Sequence, residues 1–316
     1  MSEIQPYGAR LAWAEVPAVV HDWVEQVLEA EVVDARSQPG GFSPGVAQRV
    51  VAANGRRGFV KAVSPVQNAN SPGLLRREVT VLSAMPEGVG VPELLASYDD
   101  GDWVALLIED VEGRHPRVPW QDDEVRATFT ALGELGGHGA PSDWPALEDQ
   151  LADMFAAWRR IAGAPPDGLD PWLADRLDDL GARSETVLPR LAGAAVVHMD
   201  TRSDNLLVTP EGRVRIVDWP WASRGTPWFD AVTLLVNLEL YGGVDAPAYL
   251  PDVHAMGASG EDIVGVLAGM CGYFAEAATR PPPPGLPTVR AFQDAQGRAC
   301  VRLLQRLTMA DGGALT

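Results

Sequence analysis

Two short apolar runs, Leu206-Leu207-Val208 and Val214-Arg215-Ile216-Val217, lie inside a half of the chain whose hydrophobic period is otherwise helical. Thr209-Pro210-Glu211-Gly212-Arg213 separates them, with proline and glycine placed for a turn, so the segment predicts a β-hairpin embedded among helices. A hairpin brings the residue before its first strand beside the residue after its second. Asn205 and Asp218 hold those positions, and their backbones are expected about 5 Å apart. An amide oxygen and a carboxylate so placed suit Mg2+, which takes few protein ligands and keeps waters and phosphate oxygens. Asp200 falls on the loop entering the hairpin, where it can accept a proton from a hydroxyl near such a metal. One aspartate beside a strand is usually a turn former. Three oxygen donors around one hairpin read as a site.

The first third of the chain has a different period. After a helix over 16–28, β-rich stretches fall near 31–37, 46–53 and 57–63, the last two joined by Asn54-Gly55, a tight-hairpin signal. Ser71-Pro72 predicts a helix start, with Ser71 as N-cap and Leu75, Val79 and Leu82 on one face. Strands over 93–98 and 103–110 complete an antiparallel lobe that ends near Gly113. From Asp122 the pattern is helical. Leu147, Leu151, Met154, Phe155 and Trp158 form one stripe, Asp170-Pro171 caps a helix carrying Leu173, Leu177 and Leu180, and Ser259 with Asp262 forms a capping box. Pro281 to Pro284 is a stiff connector before a last helix. The expectation is an α+β chain of two lobes, 1–112 and 113–316, the second mostly helical apart from the hairpin.

Composition narrows the chemistry. With 43 acidic and 25 basic residues the net charge is −18, which disfavours nucleic acid or an anionic membrane as partner. Cys271 and Cys300 show no metal-ligand spacing and predict buried thiols; no apolar run is long enough to span a bilayer, and a cytoplasmic location is expected. Of the 25 basic residues 24 are arginine, leaving Lys61 as the single lysine. A compact ammonium on a slim stem fits a tight site between a phosphate oxygen and a carboxylate, where a planar guanidinium does not.

His198-Met199-Asp200-Thr201-Arg202-Ser203-Asp204-Asn205-Leu206-Leu207-Val208, followed by Ile216-Val217-Asp218-Trp219, resembles the catalytic loop and metal-binding segment of the aminoglycoside phosphotransferase family, the small-molecule branch of the protein-kinase-like fold. The resemblance runs over roughly residues 30 to 305. It implies that Asp200 is the catalytic aspartate and that Asn205 and Asp218 hold Mg2+. Lys61, in Gly58-Phe59-Val60-Lys61-Ala62-Val63, would touch the α and β phosphates of ATP or GTP, with Glu78 as its carboxylate partner. Gly40, Gly41 and Ser43, in the loop Gly40-Gly41-Phe42-Ser43-Pro44-Gly45, would cover the phosphates with backbone N–H groups. The segment with Glu109 and Val111 resembles the hinge whose backbone meets the purine, and an edge strand with a turn fits the same residues. Asp230 matches an aspartate that braces the catalytic loop, and His198 reads as a structural residue.

This chain departs from the family in having Met199 where glycine is common, and in the charged pair Arg202 and Asp204 within the loop. Only nine residues separate Asp218 from Trp228, too few for the activation segment with which a protein kinase seats a peptide, so a small hydroxylated acceptor is expected. Asp245, Asp252, Glu261, Asp262 and Glu276 are candidates to attract an amine-bearing acceptor, or are ordinary solvated acids. The alternative function is a catalytically silent nucleotide-binding regulatory module on the same fold. It would not require lysine, base and both metal ligands together.

Overall fold

Residues 10–38, 41 and 44–310 are described in the computed structural model of the chain. After helix α1 (Ala18–Leu28) come strands β1 (Val32–Ser37), β2 (Val46–Ala52) and β3 (Arg57–Val63), helix α2 (Ser71–Ser83), and strands β4 (Leu94–Asp99) and β5 (Val104–Ile108). The strands form one antiparallel sheet in the order β1-β2-β3-β5-β4. Asn54-Gly55 makes the expected turn between β2 and β3, with Gly55 at φ 86° and the Asn54 side chain accepting from the Arg56 N–H.

β5 shows how the sheet is sandwiched. Every residue of β5 is buried. Ala105 and Leu107 point with Val50 and Val60 to the cluster beneath Val20, Val24 and Leu28 of α1, whereas Val104, Leu106 and Ile108 face Leu75, Val81 and Leu82 of α2. A strand covered on both faces reads as a continuous apolar run. It is therefore an inner strand that ends at Ile108, with Glu109 to Gly113 outside any strand, and the edge-strand reading of Ile108 to Gly113 does not hold.

The start of α2 also differs from expectation. Ser71 lies inside the helix and Asn70 is the N-cap, without a side-chain bond of its own. The Asn68 side chain takes over the capping, accepting from the N–H groups of Asn70 and Ser71 at 2.9 and 3.1 Å.

The remaining elements are α3 (Asp122–Gly136), α4 (Leu147–Phe155), α5 (Ala157–Gly163), α6 (Pro171–Ala174), α7 (Leu177–Val187), β6 (Ala195–Val197), β7 (Leu206–Val208), β8 (Val214–Ile216), β9 (Ser223–Gly225), α8 (Phe229–Tyr241), α9 (Leu250–Ala255), α10 (Gly260–Ala278) and α11 (Val289–Ala310). The stripe from Leu147 to Trp158 is divided between α4 and α5. Asp170 caps as expected, accepting from Trp172 N at 2.8 Å, but its helix ends at Ala174 and Leu177 and Leu180 belong to the next. The Ser259 and Asp262 capping box is present at the head of α10. α10 packs at the centre of the helical half. Its Gly265, Gly269 and Gly272 form a small-residue ridge at helical spacing, and a Cβ on Gly269 would stand 2.5 Å from the Phe155 ring. Cys271 and Cys300 are free, buried thiols. No helix among the described residues is long and apolar enough to cross a membrane.

Candidate active site

Between the sheet and the helical half lies a cavity of about 970 Å3, lined by residues from β2, β3, α2, the segment after β5, the hairpin region, α10 and α11. β7 and β8 pair from Leu206–Ile216 to Val208–Val214, and the Val217 N–H donates to the Asn205 carbonyl at 2.9 Å. The hairpin thus delivers Asn205 and Asp218 together, as its pattern predicts.

Lys61 reaches this place from the middle of the sheet, on a β3 position paired with Ala47 and Leu106. Its Nζ donates to Glu78 Oε1 and Oε2 at 2.7 and 2.8 Å and to Asp218 Oδ1 at 2.5 Å. Glu78 is not an exposed helix charge: it is 1% exposed and also accepts from the Trp219 N–H at 3.2 Å. Burial alone would lower the Lys61 ammonium, but Asp218 and Glu78 outweigh it and hold the group above its ordinary value. Burial pushes Glu78 up, with Lys61 opposing. Asp218 lies below the usual carboxylate range because Lys61, and more distantly Arg202, overcome its own desolvation.

The loop before the hairpin is hung on Asp230 of α8. The Asp230 carboxylate accepts from the N–H groups of His198 and Met199 at 2.7 and 2.9 Å. His198 is fully buried, bonds the Val217 carbonyl at 3.0 Å through Nε2, and meets Trp219 edge to face. Its ring ties the loop to the hairpin. Met199 adopts φ 74° and Asp218 φ 69°, the left-handed region. A side chain there is strained, which explains physically why glycine suits the position that Met199 fills.

Asp200 is held from two sides. Asn205 Nδ2 donates to its carbonyl and to Oδ2 at 2.9 and 3.1 Å. Arg202 Nη1 donates to both carboxylate oxygens at 2.7 and 2.9 Å, while its Nε and Nη2 grip Asp204 at 3.0 and 2.9 Å. Burial raises the Asp200 carboxyl above its ordinary value and Arg202 opposes the rise. Arg202 pairs with both carboxylates, and its guanidinium lies 5.7 Å from the Phe292 ring centre.

The donor set fits a hard divalent cation. Asn205 spends Nδ2 on Asp200, leaving Oδ1 as its open acceptor, and Asp218 uses Oδ1 on Lys61, leaving Oδ2. Both residues line the cavity. One amide oxygen and one carboxylate oxygen suit Mg2+ far better than a softer metal.

At the other end of the cavity the segment after β5 presents backbone. The Glu109 N–H is committed to the Glu93 carbonyl at 2.8 Å, and the Val111 carbonyl accepts from Arg49 at 3.1 Å. The Glu109 carbonyl and the Val111 N–H carry no hydrogen bond among the described residues, so an acceptor and a donor two residues apart remain. The Glu109 side chain turns away to Arg215 of β8 at 2.9 Å. Gly40 and Ser43 lie outside the described residues. Gly41 has φ 74°, and a Cβ there would meet Arg10 Nη2 at 3.2 Å. Arg10 escapes sequence reasoning because nothing separates it from the other arginines. It lines the cavity, where burial lowers its guanidinium and the charge of Asp218 offsets part of that effect.

This two-lobed scaffold, with a sheet lysine, a helix carboxylate and a hairpin flanked by oxygen donors, defines a small-molecule phosphotransferase. Residues 39–264 match the family model described as the phosphotransferase enzyme family (APH), and the chain belongs to that family. No curated protein sequence matches it significantly. Among solved structures it is similar to an aminoglycoside phosphotransferase from Alicyclobacillus acidocaldarius, at 17% identity and TM-score 0.54, over 90% of this chain and 96% of that one. An aminoglycoside phosphotransferase in complex with GDP and kanamycin aligns at 15% identity and TM-score 0.58, over 93% and 99%. A choline kinase from Streptococcus pneumoniae aligns at 12% identity and TM-score 0.55, over 92% and 96%. These likenesses establish a shared protein-kinase-like fold.

Proposed function

We propose that the protein transfers the γ-phosphoryl group of ATP or GTP, with Mg2+, to a hydroxyl of a small molecule, residues 1–112 binding the nucleotide and 113–316 supplying the base and the acceptor site. The observation that carries the reading is the meeting of Lys61 with Glu78 and Asp218 across 157 positions of chain, in the same cavity as Asp200. The free Glu109 carbonyl and Val111 N–H complement a purine edge that offers one donor and one acceptor. The Lys61 ammonium, anchored by Glu78, is set to meet phosphate oxygens. Asn205 Oδ1 and Asp218 Oδ2 would hold Mg2+, which when bound neutralises charge on the β and γ phosphates.

In this reading Asp200 orients the acceptor hydroxyl and takes its proton as the new O–P bond forms. The bond from the γ phosphorus to the β–γ bridging oxygen breaks, and nucleoside diphosphate leaves. Little covalent work falls to the protein, and rate comes from alignment and charge neutralisation. Asp230 and His198 serve by fixing the loop that carries Asp200.

Asp200→Asn tests this. The variant should lose transfer, including slow transfer to water, by about 10²–10⁴-fold, while its Mg2+-dependent nucleotide affinity, measured by titration calorimetry, stays within a few-fold. Undiminished turnover in the variant would overturn the assignment. Nucleotide binding by the native protein with no transfer even to water would instead favour the silent module.

A further inference from the structure

The acceptor's chemistry is written in the wall of the cavity away from Glu109, and the inference below rests on the phosphotransferase reading. α10 and α11 contribute Met270, Tyr273, Phe274, Phe292, Gln293 and Gln296 to that wall, and α4 adds Gln150 and Met154. None is acidic. The five carboxylates that the sequence offers as an attraction for amines, Asp245, Asp252, Glu261, Asp262 and Glu276, line no part of the cavity. Asp245 is paired with Arg306 and Asp262 with Arg190. Glu276, one turn from Tyr273 on α10, turns its carboxylate to Arg160 and Arg280 at 2.6 and 2.8 Å. Of the two readings offered for these acids, attraction of an amine-bearing acceptor is not supported: they are tied up in ion pairs or stand away from the cavity.

Arginines stand near this wall instead. Arg290 lines the cavity, and its Nη1 donates to Gln293 Oε1 at 2.8 Å and its Nε to the Pro281 carbonyl at 3.1 Å, with no carboxylate of the described residues in ion-pair range. At the mouth stands the indole of Trp221, 36% exposed, with the Arg77 guanidinium 5.5 Å from its ring centre. Arg77 also donates to Gln150 Oε1 at 3.1 Å. The two carboxylates that reach the wall, Asp200 and Asp204, already share Arg202. A polyamine bound here would bury several ammonium groups against arginines and apolar side chains, with only the Arg202-paired Asp200 and Asp204 as anions, which is unfavourable. Amide and phenol groups remain for hydrogen bonding: Gln293 Nε2 lies 3.3 Å from the Tyr273 hydroxyl.

We propose that the acceptor is an uncharged alcohol with an aromatic or alkyl body, resting on Met154, Met270, Phe292 and Trp221 and hydrogen-bonded along Gln150, Gln293 and Tyr273. Its hydroxyl is the group phosphorylated, with the proton passing to Asp200 and nucleoside diphosphate leaving. Polycationic alcohols are selected against by the same wall, and a quaternary ammonium finds the Trp221 and Phe292 rings already faced by the guanidinium groups of Arg77 and Arg202.

Phenyl β-D-glucoside, octyl β-D-glucoside, kanamycin and choline, each supplied with Mg2+ and ATP to the intact protein, discriminate these classes. The neutral glucosides should be phosphorylated with kcat/KM at least 100-fold above kanamycin and choline and little affected by 0.3 M salt. Trp221→Ala should raise KM for phenyl glucoside about tenfold and lower kcat much less. Met270→Glu should lower the preference for the neutral probes. Preference for kanamycin or choline, equal use of both classes, or no transfer to either glucoside overturns the proposal. In each of those cases Asp200-dependent transfer to water shows whether the phosphotransferase reading itself survives.

Discussion

Lys61, Glu78 and Asp218 meet from positions 17 and 157 residues apart, whereas Asp200, Arg202 and Asp204 lie within one five-residue stretch of loop. Both groups are largely buried clusters of one cation between two carboxylates, with Glu78 alone fully enclosed, yet they depend on different things. The first exists only when the sheet, α2 and the hairpin close on one another. The second is assembled by the loop itself, hung from Asp230. Neither is a strong source of stability, because desolvation consumes most of the Coulombic gain of a buried pair. Their value is positional: one registers the two lobes, the other holds the carboxylate proposed as the base at a set angle.

The comparison predicts unequal sensitivity to shape. Lys61→Arg keeps the charge but puts a wide planar group into a slot bounded by Glu78 and Asp218. Turnover should fall about 10²-fold, measured as kcat with saturating nucleotide, and full activity would show that charge alone suffices in the interlobe cluster. Arg202→Met should cost less, roughly tenfold in kcat at neutral pH, because Arg202 acts through Asp200. Its signature is in the pH profile. As the proposed base Asp200 works deprotonated; burial already raises it and Arg202 opposes that rise, so removing Arg202 raises it further and the acid limb of kcat moves to higher pH. An unmoved limb would sever Arg202 from the base.

The smallest effect concerns backbone. Met199→Gly and Met199→Ala both remove the side chain, but only glycine is at ease at φ 74°. The glycine variant should be more stable than the alanine variant by about 1 kcal/mol, read from urea unfolding. Equal stabilities would mean that the loop does not carry the strain its dihedral implies.

Much of the sheet was legible because hairpin signals and alternating burial act locally. The strands expected near 31–37, 46–53 and 57–63 fall at Val32–Ser37, Val46–Ala52 and Arg57–Val63. The hairpin from Leu206 to Ile216 was legible for the same reason. Helix limits in the second half were less so. The stripe from Leu147 to Trp158 continues across a break because packing against α10 outlasts the helix, and periodicity records the packing. β6 and β9 are three residues each, too short to show a period, and pair across 30 positions from Ala195 to Gly225. Lys61 stood out by being alone of its kind. Arg10 did not, since a guanidinium brought to the cleft by tertiary contacts leaves no local pattern. The acids of the later helices stayed open between two readings for a related reason: sequence counts charges, while only coordinates tell which arginine each one faces.

The buried ammonium at the junction of the lobes has a practical consequence. With one lysine in the chain, isotope labelling of the lysine ζ nitrogen yields a single side-chain resonance, free of overlap. Its frequency would follow every event in the cleft, from titration of the neighbouring carboxylates to arrival of the donor, without a reporter having to be engineered in.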